Sequence, residues 1–443
     1  MQLEVSNRQI IRIGAPICLA LIIPQINHMT NTAFLGRLGE FELAANGIAG
    51  IYYLVMYMIA YGLNNGLQVL IARRAGQRQH SGIGQLFTNG LQVGLFFSLL
   101  AIVLTLAAAP WFFSKSLHDP HICAAAVSFI RIRIWGLPLL MLLNMADAFY
   151  IGSGHTKILV PISLCQEAVN IFFDYTLIFG KFGMPALGLN GAATASVIAE
   201  ATGFLVAFGF LFINGYQKKY SLFRYLRPQW AIMKGILDVS APIIVQFLFS
   251  IGSWFIFFIF IEHLGERPLA ISNMLRSVFG FFGIFTWALA ATCNTMVSNV
   301  IGQGRSDLVP TAIRKIVLIS LGCATTVCIL VNLFPHTLLH IYTSDATLIT
   351  AAIPSIRVIT LSTLLMAIAA VTLSGVTGTG NTRMNLFTEI IAVIGYLVYC
   401  DIVIERMQSP LKLAWGADFV YWIIIFSLSF WYLRSGRWKG KEI

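Results

Sequence analysis

The chain carries Gly152-Ser153-Gly154-His155-Thr156-Lys157 and, 226 residues later, Gly378-Thr379-Gly380-Asn381-Thr382-Arg383. A glycine-rich turn closing on a cation recurs at one fixed shift, and the register can be followed outward from it. Arg131 falls on Arg357, Gly76-Gln77 on Gly302-Gln303, and Leu43-Ala44 on Leu269-Ala270. Leu38-Gly39-Glu40 falls on Leu264-Gly265-Glu266 and Ala15-Pro16 on Ala241-Pro242, with no net insertion between the first landmark and the last. The chain is built from two copies of one unit.

The composition decides what that unit is. Of 443 residues, 58% are hydrophobic and 11% charged, and the mean hydropathy is +0.80. A soluble domain carries about a quarter charged residues to cover its surface. A soluble enzyme and a nucleic-acid binder are therefore excluded. Uncharged runs at 13–36, 43–72, 82–114, 239–261 and 316–344 reach the roughly 20 residues that span a bilayer. Allowing slightly charged runs predicts twelve spans, at 10–35, 43–71, 83–112, 127–151, 158–179, 190–213, 235–262, 268–298, 312–334, 350–373, 384–404 and 413–433.

Six spans per copy is an even number, so both copies enter the membrane from the same side. The expected fold is all-α and polytopic, with two six-helix bundles related by a pseudo-twofold along the membrane normal. The bundles are placed at 1–213 and 235–443, with 214–234 as a basic linker. Two lobes of this kind leave a central cleft that can open to either face, the geometry of alternating access.

The formal charge of +11 reports topology here, because the basic residues sit in short loops. With the N-terminus cytoplasmic, 19 of the 29 Lys and Arg, among them Arg73, Arg74, Lys218, Lys219, Arg305, Arg434 and Lys441, fall on the inner side. The positive-inside rule thus places both termini in the cytoplasm. Pro24, Gln25, Asn27 and His28 interrupt the first apolar run, so it is expected to stay in the mature protein as a span. The seven cysteines lack CxxC spacing and are read as small packing residues.

Charge inside a span is costly, about 2.5–3.5 kcal/mol at the bilayer centre, and marks candidate function. The densest cluster is Glu167, Asn170 and Asp174. At about 100° per residue, these offsets fall within a stripe of about 60° on one helix face. Glu200 and Asn31 are expected to converge on that face. Burial disfavours an unpaired charge, and an amide neighbour such as Asn170 offers hydrogen bonds without a fixed counter-charge. Asp174 is thereby suited to loading and releasing a proton or sodium ion; the plainer alternative is that these groups glue helices by hydrogen bonds. At the 226 shift the cluster falls on Val393, Tyr396 and Cys400, which concentrates the ion chemistry in the first copy.

Asp147, Asp238, Glu262, Asp401 and Asp418 lie near span ends and read as snorkelling or capping groups. Glu389 lies one turn inside the eleventh span, where it would line the cleft. Arg131 and Arg357, at equivalent repeat positions, read as structural ion pairs. His336 and His340 have a metal-compatible spacing without a third ligand, so no metal is assigned.

The segment Asn170-Ile171-Phe172-Phe173-Asp174-Tyr175-Thr176-Leu177-Ile178-Phe179-Gly180 and the following Gly188-Leu189-Asn190-Gly191-Ala192-Ala193-Thr194-Ala195 resemble the fifth and sixth helices of the multidrug and toxic compound extrusion (MATE) family. Asn31-Thr32-Ala33-Phe34-Leu35-Gly36-Arg37-Leu38-Gly39 and Gly378–Arg383 support the resemblance, which covers essentially the whole chain and points to the DNA-damage-inducible-protein-F-like branch. It implies that Asp174 and Asn170 occupy cation-site positions and that Pro16 marks a first-helix bend, where a proline frees a backbone carbonyl. The family usually carries an aspartate fifteen residues after that proline; here the position is Asn31, which cannot titrate. If coupling needs a carboxylate there, Glu167, Asp174 or Glu200 must supply it.

The expected function is secondary antiport. Amphipathic or cationic compounds leave across the cytoplasmic (plasma) membrane as a proton or sodium ion enters, with no cofactor, no enzyme activity and no nucleic-acid partner. The chain is expected to act as a monomer in the bilayer. The rival reading is a flippase for lipid-linked precursors, which would line its cleft with several cations for phosphate. An intramembrane transferase would need a convergent catalytic set, and a direct ATPase a P-loop; the sequence shows neither.

Overall fold

The computed structural model describes residues 2–116, 119–343 and 345–440; Lys441, counted above among the inner basic residues, lies outside them. Twelve helices long and apolar enough to cross a membrane are present among the described residues: α1 Asn7–Leu38, α2 Glu40–Gly76, α3 His80–Lys115, α4 Pro120–Gly152, α5 Thr156–Phe179, α6 Leu189–Ile213, α7 Trp230–His263, α8 Glu266–Gly302, α9 Ser306–Leu333, α10 Ala346–Gly378, α11 Thr382–Arg406 and α12 Leu411–Ser435. Each covers one predicted span to within a residue and extends beyond it at one end or both, because the helices continue past the apolar core into their polar ends. The protein is a multi-pass, all-α membrane protein.

Local sequence explains where these helices bend and stop. In α4 the chain tightens to a 3-10 turn at Ile134–Gly136, next to Pro138, whose ring displaces an i−4 carbonyl and whose nitrogen cannot donate. α5 ends at Gly180, which takes the left-handed conformation (φ 67°) that glycine adopts without a Cβ penalty. α10 begins at Asp345, whose carboxylate accepts from the backbone N–H of Thr347 (2.8 Å) and Leu348 (3.3 Å) as a helix cap does. α1 runs unbroken through Pro16 and Pro24.

The chain divides into two compact units: residues 19–244 form the first, and residues 2–18 together with 245–443 the second. This differs from bundles divided at 213 and 235. The basic linker belongs to the first unit, where Tyr220 and Leu222 are buried. The opening segments of α1 and α7 are exchanged between units. The changeovers, at Cys18/Leu19 and Ile244/Val245, are themselves 226 residues apart and follow Pro16 and Pro242 by two residues.

Small residues make the exchange possible. In the first unit, Gly62 and Gly66 of α2 lie against the start of α7: a Cβ on Gly66 would collide with Ser240 Oγ, and one on Gly62 would come within 3.0 Å of the Ile244 backbone. In the second unit, Gly14 of α1 faces Thr292 of α8, whose Oγ1 would lie 3.1 Å from an added Cβ. Gly66 and Thr292 are repeat equivalents, as are Ser240 and Gly14. The two contacts are the same crossing with the small side chain on opposite helices, as close helix packing in lipid requires.

Within the first unit, Leu35, Ala45, Ala49, Phe129, Ile178 and Ala193 make one buried cluster, and Gly191 lets α6 approach the Leu177 carbonyl of α5. In the second, Phe257, Ile356, Tyr396 and Trp415 centre the core, with Trp415 Nε1 donating to Ser272 Oγ (3.2 Å). The loop between α4 and α5 carries His155, packed on Tyr216 (ring centroids 4.5 Å apart) and Tyr220 and hydrogen-bonded to Ser153 Oγ (2.8 Å). Burial, with Lys219 nearby, pushes His155 down to about 4.

Two predictions follow from this packing. Gly66→Leu forces α2 and α7 apart, at about 1–3 kcal/mol for an overpacked contact, whereas Gly252→Leu, where an added Cβ meets nothing within 4 Å, costs little. Equal melting temperatures for the two variants in detergent would contradict the crossing described. His155 stays neutral in the fold but charges at its ordinary pKa of 6.5 when unfolded, so its contribution is complete above that pH and is lost as the pH falls towards 4. Wild-type melting temperature should accordingly drop more steeply than that of His155→Gln over this window, and parallel curves would refute it.

Candidate functional site

In α5, the acidic stripe is buried while the opposite face is not. Asp174 is 0% exposed, Asn170 5% and Glu167 8%, against 49% for Phe172 and 53% for Leu164. The helical period alone turns the three polar groups inward and the large apolar ones outward, towards lipid.

Opposite the stripe stands Asn27 of α1. Its amide Nδ2 donates to Glu167 Oε2 (2.5 Å) and to Asn170 Oδ1 (2.6 Å). Asn170 in turn donates from Nδ2 to Asp174 Oδ2 (3.2 Å). The result is one chain of hydrogen bonds, Glu167–Asn27–Asn170–Asp174, in which two amides link two carboxylates and no basic side chain takes part. Neither acid belongs to an ion pair among the described residues.

Three buried oxygens beside this chain lack a donor: Asp174 Oδ1, Asn27 Oδ1 and Asn31 Oδ1. Asn31 is one helical turn beyond Asn27 on α1, but its side chain is not joined to the chain of bonds. Unpaired acceptors in a dry interior are costly, and the cost falls when a proton or a hard cation supplies the missing positive charge. The donor set is oxygen only, carboxylate and amide, which suits a proton or sodium-like ion and not a soft metal. No group of three or more His, Cys, Asp or Glu that could hold a metal is found among the described residues.

Glu200 is placed differently. The guanidinium of Arg133 in α4 donates to both its oxygens (2.7 and 2.6 Å), the Tyr53 hydroxyl donates to Oε1 (3.0 Å), and the guanidinium lies over the Tyr53 ring, 3.9 Å from its centroid. This forked pairing matches the geometry of the two groups, and Gly136 makes room for it, since a Cβ there would collide with Glu200 Oε2. Glu200 is already compensated and makes no hydrogen bond to the α5 stripe. The ion pairs expected of Arg131 and Arg357 are not formed: both are exposed, and the pairing falls to Arg133, two residues further along, which turns to the interior where Arg131 turns out.

At the equivalent place in the second unit, Tyr396 and Cys400 are core residues. That unit buries Glu389, which accepts from the Tyr421 hydroxyl (2.7 Å); Tyr421 also meets Ser250 Oγ (3.3 Å). Asp418, expected to snorkel or cap, is only 5% exposed, and its Oδ2 has no partner. Its place at the start of α12 is covered by the surrounding core, so it cannot reach water. Asp401, by contrast, pairs with Arg406 (2.7 Å) at an exposed end.

Sequence reasoning missed Asn27 and Arg133. Asn27 could have been found from its i−4 spacing to Asn31, which puts both on one face of α1. Arg133 could have been found because an arginine in a span needs a partner, and Glu200 is the one acid in the sixth span.

Comparison with known proteins agrees with this architecture. The MatE family model matches residues 16–176 and 242–400, two segments beginning 226 residues apart; the first contains Asn27, Asn31, Glu167, Asn170 and Asp174. The chain is similar to a probable multidrug resistance protein NorM of Thermotoga maritima, 24% identical over 444 residues, covering 99% of this chain and 94% of that protein. It is also similar to the multidrug resistance protein MdtK of Photorhabdus laumondii, 25% identical over 303 residues and covering 67% and 65%. Among solved structures it shares the fold of an outward-facing multidrug resistance MATE family transporter of the MOP superfamily, with TM-score 0.90, 18% identity, and 98% and 96% of the two chains covered. A MOP superfamily transporter from Pyrococcus furiosus gives TM-score 0.88 at 19% identity, covering 97% and 94%. Two repeats, twelve spans and a family match over both halves have one reading: this chain belongs to the MatE family of membrane transporters, and it is not an enzyme.

Proposed function

We propose that the protein is a secondary antiporter of the plasma membrane, with both termini cytoplasmic, which exports amphipathic or cationic compounds by alternating access as a proton or sodium ion enters. The observation that carries the coupling site is the unpartnered, fully buried Asp174 Oδ1 at the end of a hydrogen-bond chain without a cation. Names of the relatives, multidrug resistance proteins in both cases, support the substrate class.

Asp174 is the loading group in this reading, and Glu167 the second carboxylate on the same chain. Asn31 and Asn27 contribute amide oxygens that can ligate an ion but cannot titrate. Glu200 acts as the partner of Arg133 and not as a coupling acid. Pro16 is the point at which α1 would bend during the cycle, two residues before the chain passes from one unit to the other. Arg133 is neutralised by Glu200, and among the described residues no basic side chain is bonded to the stripe, which favours a cation over a phosphate there.

The energetics are adequate. Entry of one monovalent ion gains about 2.3 kcal/mol per 100 mV, and tenfold enrichment of a neutral or zwitterionic substrate costs about 1.4 kcal/mol. Exchange of one proton for one monovalent cation cancels the electrical part and leaves the concentration gradients.

In proteoliposomes loaded with a fluorescent lipophilic cation, efflux should follow an imposed proton or sodium gradient and be abolished by Asp174→Asn. Efflux that ignores both gradients sinks the antiport reading, and gradient-driven efflux that survives the substitution moves the ion site away from α5. Glu200→Gln leaves Arg133 unpaired and should cost about 3–5 kcal/mol of stability. Pairing it with Arg133→Gln should restore part of the loss, while a Glu200→Gln protein of normal melting temperature but lost coupling would return Glu200 to the ion site.

A further inference from the structure

The second unit holds a cleft of about 570 Å³ away from every acid discussed so far. It lies between the first turns of α9, the second half of α10, the end of α12 and the turn that follows. Val317, Phe426 and Phe430 form apolar wall, and Arg314, Arg434 and Lys439 complete the lining. All three cations are exposed, and none forms an ion pair among the described residues.

The position of Lys439 is built and not incidental. Gly436 ends α12 in the left-handed conformation (φ 69°), and Lys439 N–H closes the turn on the Gly436 carbonyl (3.0 Å). Trp438 is buried and donates from Nε1 to the Leu433 carbonyl (2.8 Å). The turn therefore folds back and brings a third cation to the cleft that Arg314 and Arg434 already line. Nearby, Arg437 lies over the Trp431 ring, 5.5 Å from its centroid. Tryptophans at helix ends favour the headgroup level of a bilayer, which sets the depth of the cations beside them.

We propose that this cleft binds an anionic phospholipid. One acyl chain lies along Val317, Phe426 and Phe430, and the phosphate is held by Arg314, Arg434 and Lys439. The argument is charge complementarity at a defined depth. Guanidinium groups match phosphate oxygens two at a time, basic pockets between membrane helices recognise lipid headgroups, and the apolar wall has no use in binding a free anion. A zwitterionic lipid brings its own cation to the headgroup and gains less from three positive side chains.

The test is native mass spectrometry of the full-length protein released from detergent micelles doped with phosphatidylglycerol or phosphatidylcholine, with inorganic phosphate as competitor. Wild type should retain phosphatidylglycerol at least tenfold better than phosphatidylcholine, and millimolar phosphate should not displace it. Each cation removed should weaken retention about fivefold, so Arg314→Gln with Arg434→Gln should lower the phosphatidylglycerol adduct about 25-fold and leave phosphatidylcholine unchanged. Lys439→Gln, beyond the last span, reads the same effect if the double variant does not fold. Equal retention of the two lipids, loss of the adduct to phosphate, or indifference to the cation substitutions would overturn the proposal.

Discussion

A backbone in hydrocarbon has no water to bond, so each N–H and C=O must find its partner within the protein. Every feature of this chain is subordinate to that constraint. It dictates helices for all twelve spans, and it extends to polar side chains: Thr30, Thr202, Thr326 and Thr372 each return a hydroxyl proton to a carbonyl four residues back, at 2.7–3.0 Å. Other buried groups stay without a partner in both units, Ser320 Oγ, Thr388 Oγ1 and Asp418 Oδ2 among them; what sets Asp174 Oδ1, Asn27 Oδ1 and Asn31 Oδ1 apart is that all three lie on α1 and α5 of the first unit, beside one chain of hydrogen bonds.

The same constraint shapes how helices meet. Lipid gives no hydrophobic incentive for helices to associate, so close contact depends on small residues and good fit. Gly62 and Gly66 in α2, and Gly14 in α1, supply it at the two crossings where opening segments of α1 and α7 join the other unit. Duplication preserved the crossing and let the small residue change sides, since what the contact needs is room for one Cβ and not a particular helix to provide it.

Duplication did not preserve the chemistry. The stripe that is Glu167, Asn170 and Asp174 in the first repeat is occupied by Val393, Tyr396 and Cys400 in the second, where the latter two pack into a core with Phe257 and Trp415. The second unit buries two acids elsewhere: Glu389, under the Tyr421 hydroxyl, and Asp418, whose Oδ2 has no partner. A carboxylate bonded to a phenol is a settled group. Asp174 keeps one oxygen bare, which is why the proposed coupling site is placed there.

Span number, the two-copy organisation and the inward face of α5 were legible in the sequence, because each depends on periodicity along a single stretch of chain: apolar length, a shift of 226, a helical repeat of offsets. Tertiary structure alone decided which groups meet across helices. That Asn27 and not Asn31 reaches Glu167 and Asn170, that Arg133 and not Arg131 claims Glu200, that Asp418 is sealed from water, and that α1 and α7 divide their contacts two residues past a proline all depend on the axial offset and rotation of one helix against another. A shift of one residue turns a side chain by about 100°, and nothing written within one helix sets that register; the packing of its neighbours does.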